Sequence, residues 1–438
     1  DLVMLEMVGS CPALDGTWDG RIATQALHLG IAREAGLPAL GLGYGFFPDT
    51  AFFIWACNRF LGADPWFSTL KGRLLPKSRL AELADEVELA AEAYNWERAH
   101  PHLFRGELDA RAAVFYSRAT RDYYGRTEAD YARDYQETCL ALMRAGIDFE
   151  VTTRIPEPGR CGVLVLSSVT CLAEPEAAAL DRFLAGGGTV VATGPLGVRD
   201  GRGRLLKQGW TERYGLAIEV HEPRRKAGFP PFAQDAGFAP CEGRHQGKVL
   251  PKGAWTKVAA GRGALHWAAA RLQEGLVDVA GRVAALLPPP LCAVRIKPEG
   301  WYLRTYRVVG RDNEESRNKS RLLIHGIPAH VEPVLHDELE NQFQRQRVIQ
   351  HIRYREPEPR RLEIELPDSA EEVLLFSPDL GAPRRFEFEN GADESLGGGS
   401  DGRPAERSGG VWRVSLDGVK RYFVVEVTFG GEIAARQG

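Results

Sequence analysis

The hydrophobic period of this chain changes once, at the run Pro288–Pro289–Pro290, and the change limits what each side can become. Before it, continuous apolar stretches of strand length alternate with segments of helical spacing. Strands of that kind are buried on both faces, so the first part calls for parallel sheets covered by helices. After it, apolar and polar residues alternate singly in short runs bounded by turn residues, which calls for antiparallel sheets with one solvated face. A chain of 438 residues is too long for one core, and the period change supplies a natural division.

The first hundred residues read as three repeats of strand and helix. "DLVMLE", "LPALGLGYG" and "DPWFSTLKG" have strand character; "RIATQALHLGIAREAG" and "DTAFFIWACNRFLGA" are helical between them. "SRLAELADEVELAAEAYNWERA" reads as one long amphipathic helix, with Leu80, Leu83, Val87 and Ala90 on its apolar face. This alternation suits part of a (β/α) barrel, whose functional groups gather beyond the carboxyl ends of the strands. A second α/β series begins at Ala110: "ARAAVFYS", "IDFEVTTR", "CGVLVLSSVTCL" and "TVVATGPLG" as strands, with helices between them. By pattern it is a doubly wound, Rossmann-like parallel sheet. A less regular stretch from Val198 includes the helical "GLVDVAGRVAALL".

Beyond Pro290, the segments "LCAVRIKPEGWYLRTYRVV", "SRLLIHGIP", "RRLEIELP", "EEVLLFSPD", "RRFEFEN", "VWRVSLDGV" and "RYFVVEVTF" carry an antiparallel β-sandwich signature. The charged "HDELENQFQRQRVIQHIRYREPEPRR" reads as a solvated face, and "NGADESLGGGSDGRPAERSGG" as a flexible insert. The fold class is therefore α/β: a (β/α) barrel part over 1–106, a Rossmann-like unit over 107–290 and a sandwich over 291–438.

Composition narrows the partners. Net charge is −4 with both signs interspersed, which argues against nucleic acid and anionic membrane surfaces. No apolar run is long enough to span a bilayer. Seven scattered cysteines without a CxxC pair argue against structural zinc and a disulfide framework, and favour a reducing cytoplasm.

The order of modules, with "LEMVG" and "GLPALGLGYGFF" at a barrel end and "VLVLSSVTCLAEPEAAALDRFLAGGGTVVATGPLG" in the second unit, resembles family 42 β-galactosidases. It also resembles bacterial glycosidase-like proteins that share their trimerisation domain. The resemblance spans nearly the whole chain and is most specific over Ala110–Gly197, which is similar to the trimerisation domain and through it to class I glutamine amidotransferases. It implies the C-terminal part of a (β/α)8 barrel, since a full barrel takes roughly 250 residues. It further implies a carbohydrate substrate, a retaining two-carboxylate mechanism, no cofactor or metal, and a homo-oligomer, a trimer by the family's arrangement.

Glu6, ending the first apolar strand, is the candidate catalytic carboxylate; a charge there sits at an active-site rim or pairs structurally. Asp15 and Asp19 in "LDGTWDG" are candidates for the same cleft, with Trp18 as a stacking platform for a sugar face. Both Asp-Gly pairs also suit plain turn chemistry. Tyr44, Trp66 and Lys71 follow the second and third strands as candidate rim contacts, or pack under the next helix.

Other motifs read as structural. The amidotransferase elbow requires a nucleophile after "TVVA", and that slot falls on Pro195 or Leu196, which cannot attack a carbonyl. Cys171 follows the wrong strand for it, and His266 has no visible partner. His100 and His102 in "HPHLF" mark a linker, and Gly186–Gly188 a helix end. The competing class is a non-catalytic carbohydrate-binding or oligomerisation protein that keeps the architecture without a complete site.

Overall fold

The computed structural model describes residues 2–7, 18–77, 79, 83–124, 131–220, 241–288, 293–297, 300–308, 319–343, 345–354, 361–366, 369–386 and 410–430. Its first unit contains β1 (Val3–Met7), α1 (Asp19–Glu34), β2 (Ala39–Tyr44), α2 (Pro48–Leu61), β3 (Asp64–Ser68), a single turn α3 (Lys71–Leu74) and α4 (Glu86–Ala99). The strands form a parallel sheet in the order β1-β2-β3, with Glu6 beside Leu42 and Leu42 beside Trp66.

Two glycines decide which face the helices cover. A Cβ on Gly41 would lie 1.9 Å from Asn58 Oδ1, and one on Gly43 would lie 2.1 Å from Ile54 Cγ2. Helix α2 therefore sits directly on that face. Side chains alternate along a strand, so Met4, Glu6, Leu42, Tyr44 and Trp66 point to the other face. There Met4 is 50% and Trp66 49% exposed. Leu42 and Tyr44 on the central strand of that face are buried, so among the described residues the face is open at its outer strands, β1 and β3.

Helix α4 is shorter than its apolar pattern suggests. The Asp85 N–H donates to Glu88 Oε2 at 3.4 Å, the reciprocal arm of a capping box, so the helix starts at Glu86. Its buried residues are Leu89, Ala90 and Ala93, whereas Val87 is exposed. Leu83 lies ahead of the helix, and Leu80 falls outside the described residues.

The second unit contains β4 (Glu107–Leu108), β5 (Ala112–Phe115), α5 (Arg118–Tyr124), α6 (Tyr131–Arg144), β6 (Phe149–Thr152), β7 (Val163–Ser167), β8 (Cys171–Leu172), α7 (Glu174–Ala185) and β9 (Thr189–Thr193). It continues through β10 (Arg199–Asp200), β11 (Leu216–Val220), β12 (Cys241–His245), β13 (Lys248–Val249), β14 (Thr256–Ala260), β15 (Gly263–Ala268) and α8 (Val279–Ala284). Its main sheet runs β14-β15-β9-β7-β5-β6, parallel except for the edge strand β14. Every residue of β5 and β7 is buried, as continuous apolar strands require. The strand order reverses between β5 and β7, which makes their carboxyl ends the switch point of a doubly wound sheet.

The third unit contains β16 (Ala293–Lys297), β17 (Trp301–Val308), β18 (Lys319–Pro328), β19 (Glu332–Asn341), β20 (Gln346–Arg353), β21 (Arg361–Leu366), β22 (Ala370–Phe376), β23 (Arg384–Phe386), β24 (Gly410–Ser415) and β25 (Phe423–Gly430). A six-stranded antiparallel sheet, β23-β22-β25-β18-β17-β4, and a three-stranded one, β16-β21-β24, bury a common core of Trp301, Ile324, Ile364, Val414 and Val425. Strand β4 thus belongs to this sheet although in sequence it opens the second unit. The charged segment read as a solvated face forms, over its described residues, much of the hairpin β19–β20, with Asp337, Glu338, Glu340, Arg347 and Arg353 exposed. The insert "NGADESLGGGSDGRPAERSGG" lies outside the described residues except Gly410.

One hydrophobic core runs through all three units, including Leu5, Trp55, Val114, Leu166, Tyr302 and Val424. The "HPHLF" segment lies in it as a connector: His100 packs on Trp96 at 4.8 Å and on Phe376 at 5.7 Å. No helix among the described residues is long and apolar enough to cross a membrane.

Candidate active site

The carboxyl ends of β1, β2 and β3 bring several of the expected residues together. Tyr44 Oη donates to Glu6 Oε1 at 2.7 Å across neighbouring strands. Burial of the phenol, then the hydrogen bond to Glu6, pushes Tyr44 up to about 12, so it remains a donor at any physiological pH. The Arg73 guanidinium acts in the opposite sense on the same phenol, which places a cation at this rim. Trp66 stands in the same registered row as Glu6, on the same open face, with about half its surface free. A carboxylate, a donor that orients it, a cation and an apolar ring thus share one solvent-facing edge.

The other candidates are elsewhere. Trp18 is fully buried and meets Phe53 edge-on at 5.0 Å, so its faces are packed and it is no platform for a sugar. Asp19 starts α1, and its carboxylate lies 3.3 Å from His330 Nδ1 and 3.8 Å from Arg144 Nη2, a clasp between the three units. Lys71 Nζ donates to the Leu83 carbonyl at 2.8 Å and lies 3.4 Å from Asp85, which fastens the loop ahead of α4. Asp15 lies outside the described residues.

Glu86 is a second rim carboxylate that the sequence pattern concealed. It accepts from Ser68 Oγ at 3.0 Å, Thr69 N at 2.9 Å and Thr69 Oγ1 at 3.0 Å. Burial raises its pKa, but these donors outweigh burial and hold it below the usual carboxylate range. Ser68 pairs in register with Tyr44, so Glu86 sits at the β3 end of the row next to the one that holds Glu6 and Trp66. The available signal was the acidic first turn of α4, obscured by reading the helix as starting earlier.

The carboxyl end of β9 holds no nucleophile. The left-handed position there is Gly194, φ +63°, ahead of the expected slot at Pro195 or Leu196. Its carbonyl accepts from Trp267 Nε1 at 2.8 Å, and Leu196 is fully buried. Cys171 is buried, which pushes its thiol up to about 12 and leaves it unreactive. Among the described residues, no three His, Cys, Asp or Glu side chains gather as a metal-binding group.

The chain matches no family model and no curated protein sequence. Solved structures do share its architecture, and they are glycoside hydrolases. The α-L-fucosidase isoenzyme 2 from Paenibacillus thiaminolyticus superposes with a TM-score of 0.57 at 15% identity, covering 97% of this chain and 65% of that one. The β-galactosidase from Bacillus circulans sp. alkalophilus gives 0.57 at 14%, covering 97% and 60%. Gan42B, a GH42 β-galactosidase from G. stearothermophilus, gives 0.54 at 13%, covering 97% and 59%. The chain therefore has a β-galactosidase-like fold and spans about three fifths of the length of these structures.

Proposed function

We propose that this chain is the C-terminal portion of a retaining glycoside hydrolase acting on O-glycosidic bonds, β-galactosidase-like, with Glu6 as one of its two catalytic carboxylates. The observation that carries this reading is the Tyr44–Glu6 hydrogen bond on the open face of a parallel sheet, at its carboxyl end. A hydroxyl donated to one oxygen fixes the carboxylate's orientation and leaves the other oxygen for an anomeric carbon or for water. The nearby guanidinium of Arg73 supports a charged, polar cleft rather than a packing surface. Trp66 supplies an apolar face suited to the C–H side of a pyranose.

On this reading, further β/α units complete the barrel around the open face, and one of them brings the second carboxylate. Glu86 is better read as a loop-fastening group than as that partner, because Ser68 and Thr69 converge on its Oε1 and hold the carboxylate on the β3 loop. Residues 1–106 then belong to the barrel, 107–290 to an amidotransferase-like trimerisation unit and 291–438 to the sandwich, in a homo-oligomeric protein. Buried free thiols such as Cys57 and Cys139 suit a reducing cytoplasm.

The test is hydrolysis of aryl β-galactosides and other aryl glycosides by this chain and by a barrel-completed form, each with Glu6→Gln. Activity in the completed form that the Gln variant abolishes supports the reading. An active protein indifferent to Glu6→Gln rejects Glu6 as catalytic. Inactivity on every sugar leaves the binding or oligomerisation role.

A further inference from the structure

The hairpin β19–β20 packs on the segments that follow β2 and α3, next to the rim described above. Leu339 and Val348 are buried against Phe46 and Leu75, the residues that follow β2 and α3. His336 stacks on Phe47 at 5.6 Å with the rings 19° apart, and Gln342 N donates to the Leu74 carbonyl at 2.8 Å. Arg79 pairs with Glu338. The register of β19 slips on both sides of Leu335, a bulged course that bends the ribbon.

The described residues at the end of the hairpin are tied together through Asn341. Asn341 is buried, its Oδ1 accepts from Phe343 N at 2.9 Å, and its carbonyl accepts from Arg345 N at 2.7 Å. Arg345 takes a left-handed φ of +52°, which closes the turn. On this braced tip Phe343 is 84% exposed. It is one residue from Gln342, which bonds to Leu74, the neighbour of Arg73.

We propose that Phe343, flanked by the exposed Gln342 and Arg345, is a sugar-stacking subsite that the third unit contributes to the cleft. It would receive a further pyranose of an oligosaccharide whose scissile end lies at Glu6. A second protein copy is the weaker occupant: the ring stands alone among polar groups, whereas protein interfaces need contiguous apolar area. A single ring bordered by an amide and a guanidinium matches one sugar face and its surrounding hydroxyls. The inference rests on the carbohydrate-processing reading of the rim.

The test is calorimetric titration of the barrel-completed form with galactose and with β-1,4-linked galactotriose, using wild type, Phe343→Ala and Phe343→Tyr. The expected result is an affinity for the trisaccharide lowered about tenfold by Phe343→Ala, the galactose affinity unchanged and Phe343→Tyr near wild type. Equal losses for both sugars, or none for either, overturn the subsite while wild-type binding preserves the carbohydrate reading. Absence of binding of either sugar to wild type overturns both. A Phe343→Ala variant that alters only the sedimentation state assigns the ring to self-association and overturns the subsite.

Discussion

Tyr44 and Glu6 lie on adjacent parallel strands and share a 2.7 Å hydrogen bond, the phenol donating and the carboxylate accepting. Tyr44→Phe removes the donor and little else, because the ring remains packed. In a barrel-completed protein, aryl glycoside hydrolysis is expected to fall about ten- to a hundredfold through kcat, as for a lost positioning contact. The melting temperature of this chain should hardly move. A variant with full kcat would show that the bond is only structural.

The close approach of α2 to β2 gives a second expectation. Gly43→Ala sets a methyl against Ile54 Cγ2, and overpacking of this kind costs about 1 to 3 kcal/mol. Urea denaturation is the measurement. An unchanged midpoint would mean that α2 does not rest on this face.

Asp148 offers a pH signature. It is buried, and burial pushes its carboxyl up from 3.8 to about 7 despite the Thr305 N–H that it accepts at 2.9 Å. Between those values the folded chain holds a proton that the unfolded chain has released, so wild-type stability declines as pH rises through this window. Asp148→Asn keeps an acceptor for Thr305 and removes the charge. Its stability advantage over wild type should be absent near pH 3.8 and grow to a plateau above about 7. Parallel pH profiles of the two unfolding midpoints would refute this.

At the switch point of the second sheet, Arg271 Nε lies 2.7 Å from Asp134 Oδ2, which also accepts from Ser168 Oγ at 2.6 Å. Arg271→Met strands a buried carboxylate, and breaking such a pair costs about 3 to 5 kcal/mol. Arg271→Met combined with Asp134→Leu should recover part of that loss. A single variant within about 1 kcal/mol of wild type in denaturant would contradict a tight buried pair.

The sheets were legible because their signals are local. Continuous apolar runs such as Val163–Leu166 mark doubly covered strands, and the alternation after Pro290 marks antiparallel ones. Glu6 and Tyr44 were legible as strand-end groups, but not their contact, which depends on the β1–β2 register. Trp18 misled because an aromatic in a polar loop reads the same whether it stacks on a ligand or plugs the core. The hairpin β19–β20 was missed for a related reason: its buried apolar residues, Leu339, Val348, Ile349 and Ile352, are scattered among charged neighbours, and only packing against the rest of the chain makes their burial necessary. Glu86 was hidden by a cap, since Asp85 ends a helical pattern that the apolar spacing alone would extend.

The continuous core has a consequence for how this chain can be cut. Leu5, Leu166 and Val424 share one buried cluster, and Glu107–Leu108 is stitched into a sheet formed nearly 200 residues later. Boundaries that are sensible by topology are therefore poor places for scissors. A fragment ending near residue 106 would leave Trp55 and Trp96 without Tyr422, and one starting there would leave Tyr306 without Phe60. The three units differ in architecture but form a single object by energetics, so any exchange of one unit would have to carry its matching junctions along.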